Sequence, residues 1–226
     1  MIGPGIALIP VNRLERAKSR LAELLSEDER RELTLITLRA VLKAARAAHW
    51  QPIVLTADAE VEAASREKAY VVPEMGLGGL NEELMGALPR LSGGRRVDSL
   101  LILHADLPLA TGAALRLITN VAPPPVSVTL VQSIDGGTNA MLLRPPGRFP
   151  LAYGRDSFAK HVAAAKKAFM AVQAVDAPDL AIDLDTPDDI ARLLALPHGR
   201  KCDAGKFLLD RGVELRLAAA QETSQD

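Results

Sequence analysis

Scarcity says a good deal about this chain. Its 226 residues include one cysteine, Cys202, which excludes an internal disulfide and a cysteine-only metal site. A lone thiol fits a reducing compartment. Aromatic residues make up 3%, so a core must be built from Leu, Val, Ile and Ala. The four histidines, His49, His104, His161 and His198, show no zinc-ligand spacing. They read as structural or solvated, with His104 near any site formed around it. No stretch approaches the roughly 20 consecutive apolar residues that span a bilayer. The short apolar stretch at the N-terminus has no basic residues before it and is interrupted by Pro10, unlike an export signal. Net charge is −1, without the basic excess that nucleic acid or an anionic membrane would attract. The expectation is a soluble, cytoplasmic protein with no nucleic-acid partner and no membrane partner.

What is present suits a large α/β domain. Hydrophobic residues are 48% of the chain, enough for a sizeable core at this length. Apolar runs at 6–11, 53–55, 70–72 and 101–105 predict strands, and 126–131, 140–143, 172–175 and 181–184 predict more. Between them lie helical patterns. Ser26 and Glu29 form a capping-box signature, and Leu33, Ile36, Ala40, Val41, Ala44 and Ala48 then follow helical spacing. Thr186-Pro187-Asp188-Asp189 supplies a cap, a proline at the first helical position and acids in the first turn. Strands alternating with helices predict a mostly parallel sheet with helices on both faces. The closer-spaced strands after residue 126 predict a small antiparallel edge. One nucleotide-binding domain is expected over 1–198, followed by a C-terminal extension over 199–226 that forms an appended helix with a frayed end.

The strand Leu101-Ile102-Leu103-His104-Ala105 runs into Asp106, and Pro108 stops it. Asp106 is thereby delivered to the carboxyl end of a strand, where open α/β sheets bind ligands. Packing gives a buried strand no reason to end in a carboxylate. A Mg²⁺ ligand for a nucleotide is one reason, and a turn before an X-Pro step is the structural alternative. Asp183-Leu184-Asp185 places two carboxylates at i and i+2, on one side of an extended segment. They repel unless a cation joins them, although acids at a helix start need no metal. The basic stretch Arg13 to Leu21, with Arg13, Arg16, Lys18 and Arg20, follows the first strand. It could neutralise a triphosphate or stand as a solvated loop. Gly76-Leu77-Gly78-Gly79-Leu80-Asn81 precedes a helix and could admit a ligand close to the backbone. Gly137-Thr138-Asn139 and Gly154-Arg155-Asp156-Ser157 read equally as a turn and a helix start or as anion contacts. No dinucleotide fingerprint or P-loop occurs: Gly199…Gly205-Lys206 is one residue too long and continues into Phe207.

These segments together resemble the 2-phospho-L-lactate guanylyltransferase family of coenzyme F-420 biosynthesis, including its phosphoenolpyruvate and 3-phosphoglycerate variants. The resemblance is carried by Ile9-Pro10-Val11 with Ala17-Lys18-Ser19-Arg20-Leu21, Thr56-Ala57-Asp58, Gly79-Leu80-Asn81, Ala105-Asp106-Leu107-Pro108, Gly137-Thr138-Asn139-Ala140, Gly154 to Phe158, and Asp183 to Pro187, in that order over about 6 to 195. Asn12 departs from it, standing where a lysine is expected. The tail beyond Gly199 is read as longer than the family core. The resemblance implies a Rossmann-like nucleotidyltransferase fold and GTP-dependent transfer to a small phosphorylated acid. Asp106, Asp183 and Asp185 would hold Mg²⁺, with Lys18 and Asp106 catalytic. Arg13, Lys18, Gly79, Leu80 and Asn81 would bind the nucleotide, and Thr138, Gly154 and Ser157 the acceptor. A homodimer is compatible with this reading. A nucleotide-sugar glycosyltransferase or a non-catalytic nucleotide-binding protein would use parts of the same residue set.

Overall fold

The computed structural model describes residues 5–91, 97–123, 125–146 and 149–223. Among these residues, seven strands form one sheet: β1 (Ile6–Pro10), β2 (Gln51–Thr56), β3 (Tyr70–Pro73), β4 (Leu100–Leu103), β5 (Ser127–Gln132), β6 (Thr138–Arg144) and β7 (Ala171–Ala174). Their order is β3-β2-β1-β4-β6-β5-β7. β3, β2, β1 and β4 run parallel, as do β5 and β7. β6 is antiparallel to both of its neighbours, β4 and β5. The antiparallel element expected at an edge therefore lies inside the sheet. β6 inserts between β4 and β5, and β7 closes that side in parallel.

Among the described residues, eight α-helices surround the sheet: α1 (Glu27–Ala47), α2 (Ala59–Ser65), α3 (Leu80–Leu91), α4 (Gly112–Val121), α5 (Ser157–Lys167), α6 (Pro187–Ala195), α7 (Asp203–Asp210) and α8 (Val213–Thr223). Successive strand side chains point to opposite faces, and both faces are covered. Ala7 and Ile9 of β1 join Leu101 and Leu103 of β4 under Val41 and Leu42 of α1 and Leu115 of α4. Ile6 and Leu8 join Leu100 and Ile102 on the other side, under Leu84 of α3 and Ala165 of α5. This two-sided burial explains why the central strands read as continuous apolar runs.

Local signals set the helix starts. Ser26 Oγ accepts from Glu29 N at 3.2 Å and Glu29 Oε2 accepts from Ser26 N at 2.9 Å, a complete capping box. Thr186 and Asp189 build a second one at α6. The segment 181–184, predicted as a strand, joins no ladder. A 3-10 turn over Pro178–Leu180 precedes it, and it is tied by single backbone bonds, Leu184 N to Asp106 O at 3.1 Å and Ile134 N to Ala181 O at 3.1 Å.

The segment beyond 199 forms two helices where one was expected. Phe207 and Leu208 of α7 and Val213 and Leu217 of α8 share a third apolar cluster with Leu21, Leu25, Leu33, Leu184 and Ile190. The fraying expected at the end of this tail lies outside the described residues. Arg216 of α8 donates to both oxygens of Glu29, at 2.8 and 2.9 Å, and to Leu24 O at 3.0 Å. Arg216 lowers the Glu29 carboxyl to about pKa 2. A charged bond to this buried carboxylate is worth about 2 kcal/mol. Arg216→Ala should therefore lower the melting temperature at pH 7. Because the folded-state pKa of Glu29 is depressed, its contribution is present above the ordinary carboxylate pKa and is lost as pH falls toward 2. The gap between wild type and variant, read by thermal melts, should narrow from pH 6 to pH 3. A gap independent of pH would exclude Glu29 as the partner that matters.

Candidate active site

The carboxyl edge of the parallel strands gathers the chemistry. Asp106 follows β4, and Asp183 and Asp185 arrive on the irregular segment before α6. Each offers an oxygen, and the three oxygens lie within 4.8 Å of one another. Leu184, between the two acids, is fully buried in the third cluster, and its N–H is bonded to Asp106 O. Burying this leucine turns both neighbouring carboxylates the other way, toward Asp106. Asn139 Nδ2 donates to Leu180 O at 3.0 Å and to Asp183 Oδ1 at 3.2 Å, tying β6 to the same segment.

Three acids this close repel. Burial, then the charge of Asp106, pushes Asp183 up to about pKa 7, with the Asn139 amide pulling the other way. Asp185 is also raised, by burial and by Asp106, with Lys18 and Arg20 opposing. One cation partly balances the cluster. Lys18 Nζ donates to Leu184 O at 2.6 Å and lies 3.8 Å from Asp106 Oδ2 and 3.9 Å from Asp185 Oδ1. Its backbone is left-handed, with φ 52°, a strained choice for a lysine. Asp106 Oδ1 is enclosed with no hydrogen-bond partner among the described residues. A buried carboxylate oxygen lacking a donor, in a set made only of hard oxygens, fits a divalent cation such as Mg²⁺.

The basic segment is positioned by an acid from elsewhere. Asp58 Oδ2 accepts from Leu14 N at 2.9 Å, and its Oδ1 caps α2 through Glu60 N and Val61 N. Burial opposes its ionisation, but these amides prevail and hold Asp58 below the ordinary carboxylate range. The Thr56-Ala57-Asp58 motif thus anchors the start of the Lys18 loop. A cavity of about 200 Å³ opens there, lined among others by Asn12, Lys18, Leu80, His104, Asp106 and Asp185. A larger one, about 350 Å³, lies among Met85, Leu88, Pro89, Leu91, Val97, Leu100 and Pro146. Its lining among the described residues is apolar and offers no group for phosphate chemistry.

The remaining expected residues fall into two groups. Arg13 is exposed at the start of the 3-10 turn Leu14–Arg16. Gly79 immediately precedes α3, and Leu80 reaches the cavity. The Asn81 side chain is committed to another loop: Nδ2 donates to Tyr153 O at 3.2 Å and Oδ1 accepts from Tyr153 N at 2.8 Å. The preceding loop is held by Glu83, which accepts from Met75 N at 2.7 Å and Leu77 N at 2.5 Å. On the other side, Thr138 and Ser157 are both buried and 3.2 Å apart through their hydroxyls. Gly154, with φ 125°, makes the turn whose carbonyl accepts from Ser157 N at 3.1 Å.

Sequence reasoning passed over several residues that join these groups. Asn139 entered only as part of a turn motif. Tyr153 lies 5.3 Å from the His104 ring and 4.9 Å from the His161 ring, centroid to centroid. His161 Nδ1 meets Thr138 Oγ1 at 3.0 Å. The available signal was helical spacing: His161 stands four residues after Ser157, on the same side of α5.

Comparison with known proteins bears on the family and on the fold. The family model described as "Guanylyl transferase CofC like" matches residues 6–225. It thus includes α7 and α8, so the tail is part of the family pattern, contrary to the reading that it exceeds the family core. The chain is 40% identical over 203 residues to the phosphoenolpyruvate guanylyltransferase of Sphaerobacter thermophilus, covering 88% of this chain and 97% of that one. It is 38% identical over 196 residues to the protein of the same name from Rubrobacter xylanophilus, covering 84% and 93%. It is 34% identical over 199 residues to the 2-phospho-L-lactate guanylyltransferase of Methanoregula boonei, covering 88% and 85%. Among solved structures, a candidate nucleotide-diphospho-sugar transferase from Desulfovibrio desulfuricans G20 shares the fold with a TM-score of 0.75 at 17% identity, over 93% of this chain and 96% of that one. The match to the family model over nearly the whole chain, with relatives at this identity, settles the affiliation: the chain belongs to the CofC-like guanylyl transferase family.

Proposed function

We propose that this protein joins GTP to a small phosphorylated carboxylic acid, releasing pyrophosphate, as a step of coenzyme F-420 biosynthesis in the cytoplasm. The observation that carries the reading is the convergence of Asp106, Asp183, Asp185 and Lys18 at the carboxyl edge of the sheet. Phosphoenolpyruvate is the acceptor we assign, because the relatives at 38 and 40% identity carry its name. 2-Phospho-L-lactate and 3-phosphoglycerate are the competing acceptors. In keeping with the proposed compartment, no helix among the described residues is long and apolar enough to cross a membrane.

The central difficulty of such a reaction is charge. The acceptor phosphate is already an anion, so no general base is needed, but it must approach the α-phosphorus of a polyanion. Asp106, Asp183 and Asp185 would hold Mg²⁺, which when bound supplies positive charge to phosphate oxygens. Lys18 adds an ammonium beside them and neutralises charge on the nucleotide phosphates. Arg13 serves the outer phosphates. Since Asn81 is spent on Tyr153, the Gly79–Leu80 backbone and the Leu80 side chain remain to face the guanine. Thr138, Gly154 and Ser157 bind the acceptor, and holding both reactants in line supplies much of the remaining rate.

Two measurements test this. GTP, Mg²⁺ and each of the three acids are supplied with pyrophosphatase, and phosphate release is followed together with product mass. Asp106→Asn should cut turnover by about 10³-fold or more with an unchanged circular dichroism spectrum; near-normal turnover would sink the assignment. The raised pKa of Asp183, about 7, sets a second expectation. A divalent cation needs the ionised form, so below pH 7 it competes with a proton. Calorimetric Mg²⁺ binding should be roughly tenfold tighter at pH 8 than at pH 6, and Asp183→Asn should flatten that dependence. Wild-type binding equal at both pH values would remove Asp183 from the ligand set.

A further inference from the structure

The stretch that leads into Gly154 belongs to no strand or helix. It is held by side chains from elsewhere. Ala152 N donates to His161 Nε2 at 2.9 Å. Tyr153 N donates to Asn81 Oδ1 at 2.8 Å, and Asn81 Nδ2 donates back to Tyr153 O at 3.2 Å. The Asn81 amide thus pairs with both main-chain groups of one residue, as a neighbouring strand would. No other bond to the Tyr153 main chain occurs among the described residues. The Tyr153 hydroxyl is buried without a hydrogen-bond partner among them, so its side chain contributes packing and Asn81 contributes the directional bonds. Asn81 can serve as an anchor because it sits in the first turn of α3.

Tyr153 O is the carbonyl of the peptide that joins Tyr153 to Gly154. That peptide is trans, so its N–H points the opposite way from its carbonyl. With the carbonyl turned to Asn81, the Gly154 N–H is turned away from it. This N–H has no acceptor among the described residues. Gly154 is exposed, and a Cβ built on it would meet no atom beyond its chain neighbours within 4 Å. An outward N–H beside open space suits an anion. A peptide that precedes a glycine turns over easily, because glycine accepts φ of either sign. Turned over, this one would present its carbonyl and repel a phosphate or carboxylate oxygen. We infer that Asn81 is a positioning residue for the acceptor: it locks the Tyr153–Gly154 peptide so that the Gly154 N–H faces the substrate anion. This inference rests on the reading that Gly154 belongs to the acceptor site. Asn81 stands next to Gly79 and Leu80, the residues read as facing the nucleotide, yet its effect falls on the other substrate. Locking the peptide beforehand removes an ordering cost from acceptor binding.

Kinetics with each substrate varied in turn test this. Asn81→Ala should raise the KM for phosphoenolpyruvate by about tenfold and leave the KM for GTP unchanged. Asn81→Leu keeps the branched shape of the side chain without either bond, and it should show the same split. A leucine variant with the wild-type acceptor KM would mean that packing, not the bonds, matters, and would overturn the inference. So would a rise in the GTP KM with the acceptor KM unmoved. A merely structural asparagine would lose thermal stability and kcat with both KM values rising together, and that result would overturn it too. Wild-type protein separates the two levels of argument by nitrogen-15 NMR. With Mg²⁺ and guanosine 5′-(α,β-methylene)triphosphate present throughout, added phosphoenolpyruvate should shift the Gly154 amide. If that amide does not move, the acceptor-site reading itself fails. If it moves while Asn81→Ala leaves the acceptor KM unchanged, only the role of Asn81 fails. Hydrogen exchange of the wild-type protein stands independently of whether the variants fold. The Tyr153 amide should be protected, and exchange as fast as in an unfolded chain would overturn the inference.

Discussion

The mutual repulsion of three carboxylates organises this molecule. Asp106, Asp183 and Asp185 are brought within 4.8 Å of each other, an arrangement the fold has to force. The force comes from the apolar residues between and around them. Leu184 is sunk in a cluster with Leu25, Leu33, Ile190 and Leu208, and β4 is buried on both faces. Hydrophobic burial worth about 1.5–3 kcal/mol per large side chain can hold carboxylates where their charges alone would not place them. Burial first, and then this crowding, raise the pKa of Asp183. They make the site receptive to positive charge.

A second level of organisation joins the two halves of the site. Asn81 at the start of α3 grips the Tyr153 backbone through both atoms of its amide. Tyr153 packs between His104, which lines the cavity beside Asp106, and His161, which is bonded to Thr138. The loop before α3, the end of β4 and the loop around Gly154 are thus one packed unit. Movement of one is felt by the others because buried packing has little slack. Glu83 adds rigidity by holding the glycine loop through its backbone amides.

Much of this was legible in sequence, and what was legible shares a property. The capping box at Ser26, the cap at Thr186, the apolar run into Asp106 and the helix after Asp156 are all set by residues within a few positions of one another. The segment 181–184 was misread as a strand because its apolar content is real. Its burial, however, serves a loop anchored by single bonds rather than a ladder. The sheet order was read only in outline: short spacing after residue 126 signals antiparallel pairing but cannot say that β6 goes between β4 and β5. The resemblance put Asn81 beside the nucleotide, and only folding shows its side chain bonded to Tyr153, far along the chain.

By itself, the sequence determined the supply of elements and chemical groups: alternating strands and helices, a carboxylate at a strand end, a pair of acids before a capped helix, and one basic loop. Tertiary structure alone decided which of them meet. Lys18 and Leu184 are 166 positions apart, Asn81 and Tyr153 72, and Asn139 and Asp183 44. No local propensity encodes such contacts, because they exist only after both faces of the sheet have been buried and β6 has taken its place beside β4. The same holds for His161. Its residue type could be read in the chain, but which nitrogen carries its proton follows from a backbone amide that folding alone brings to the ring.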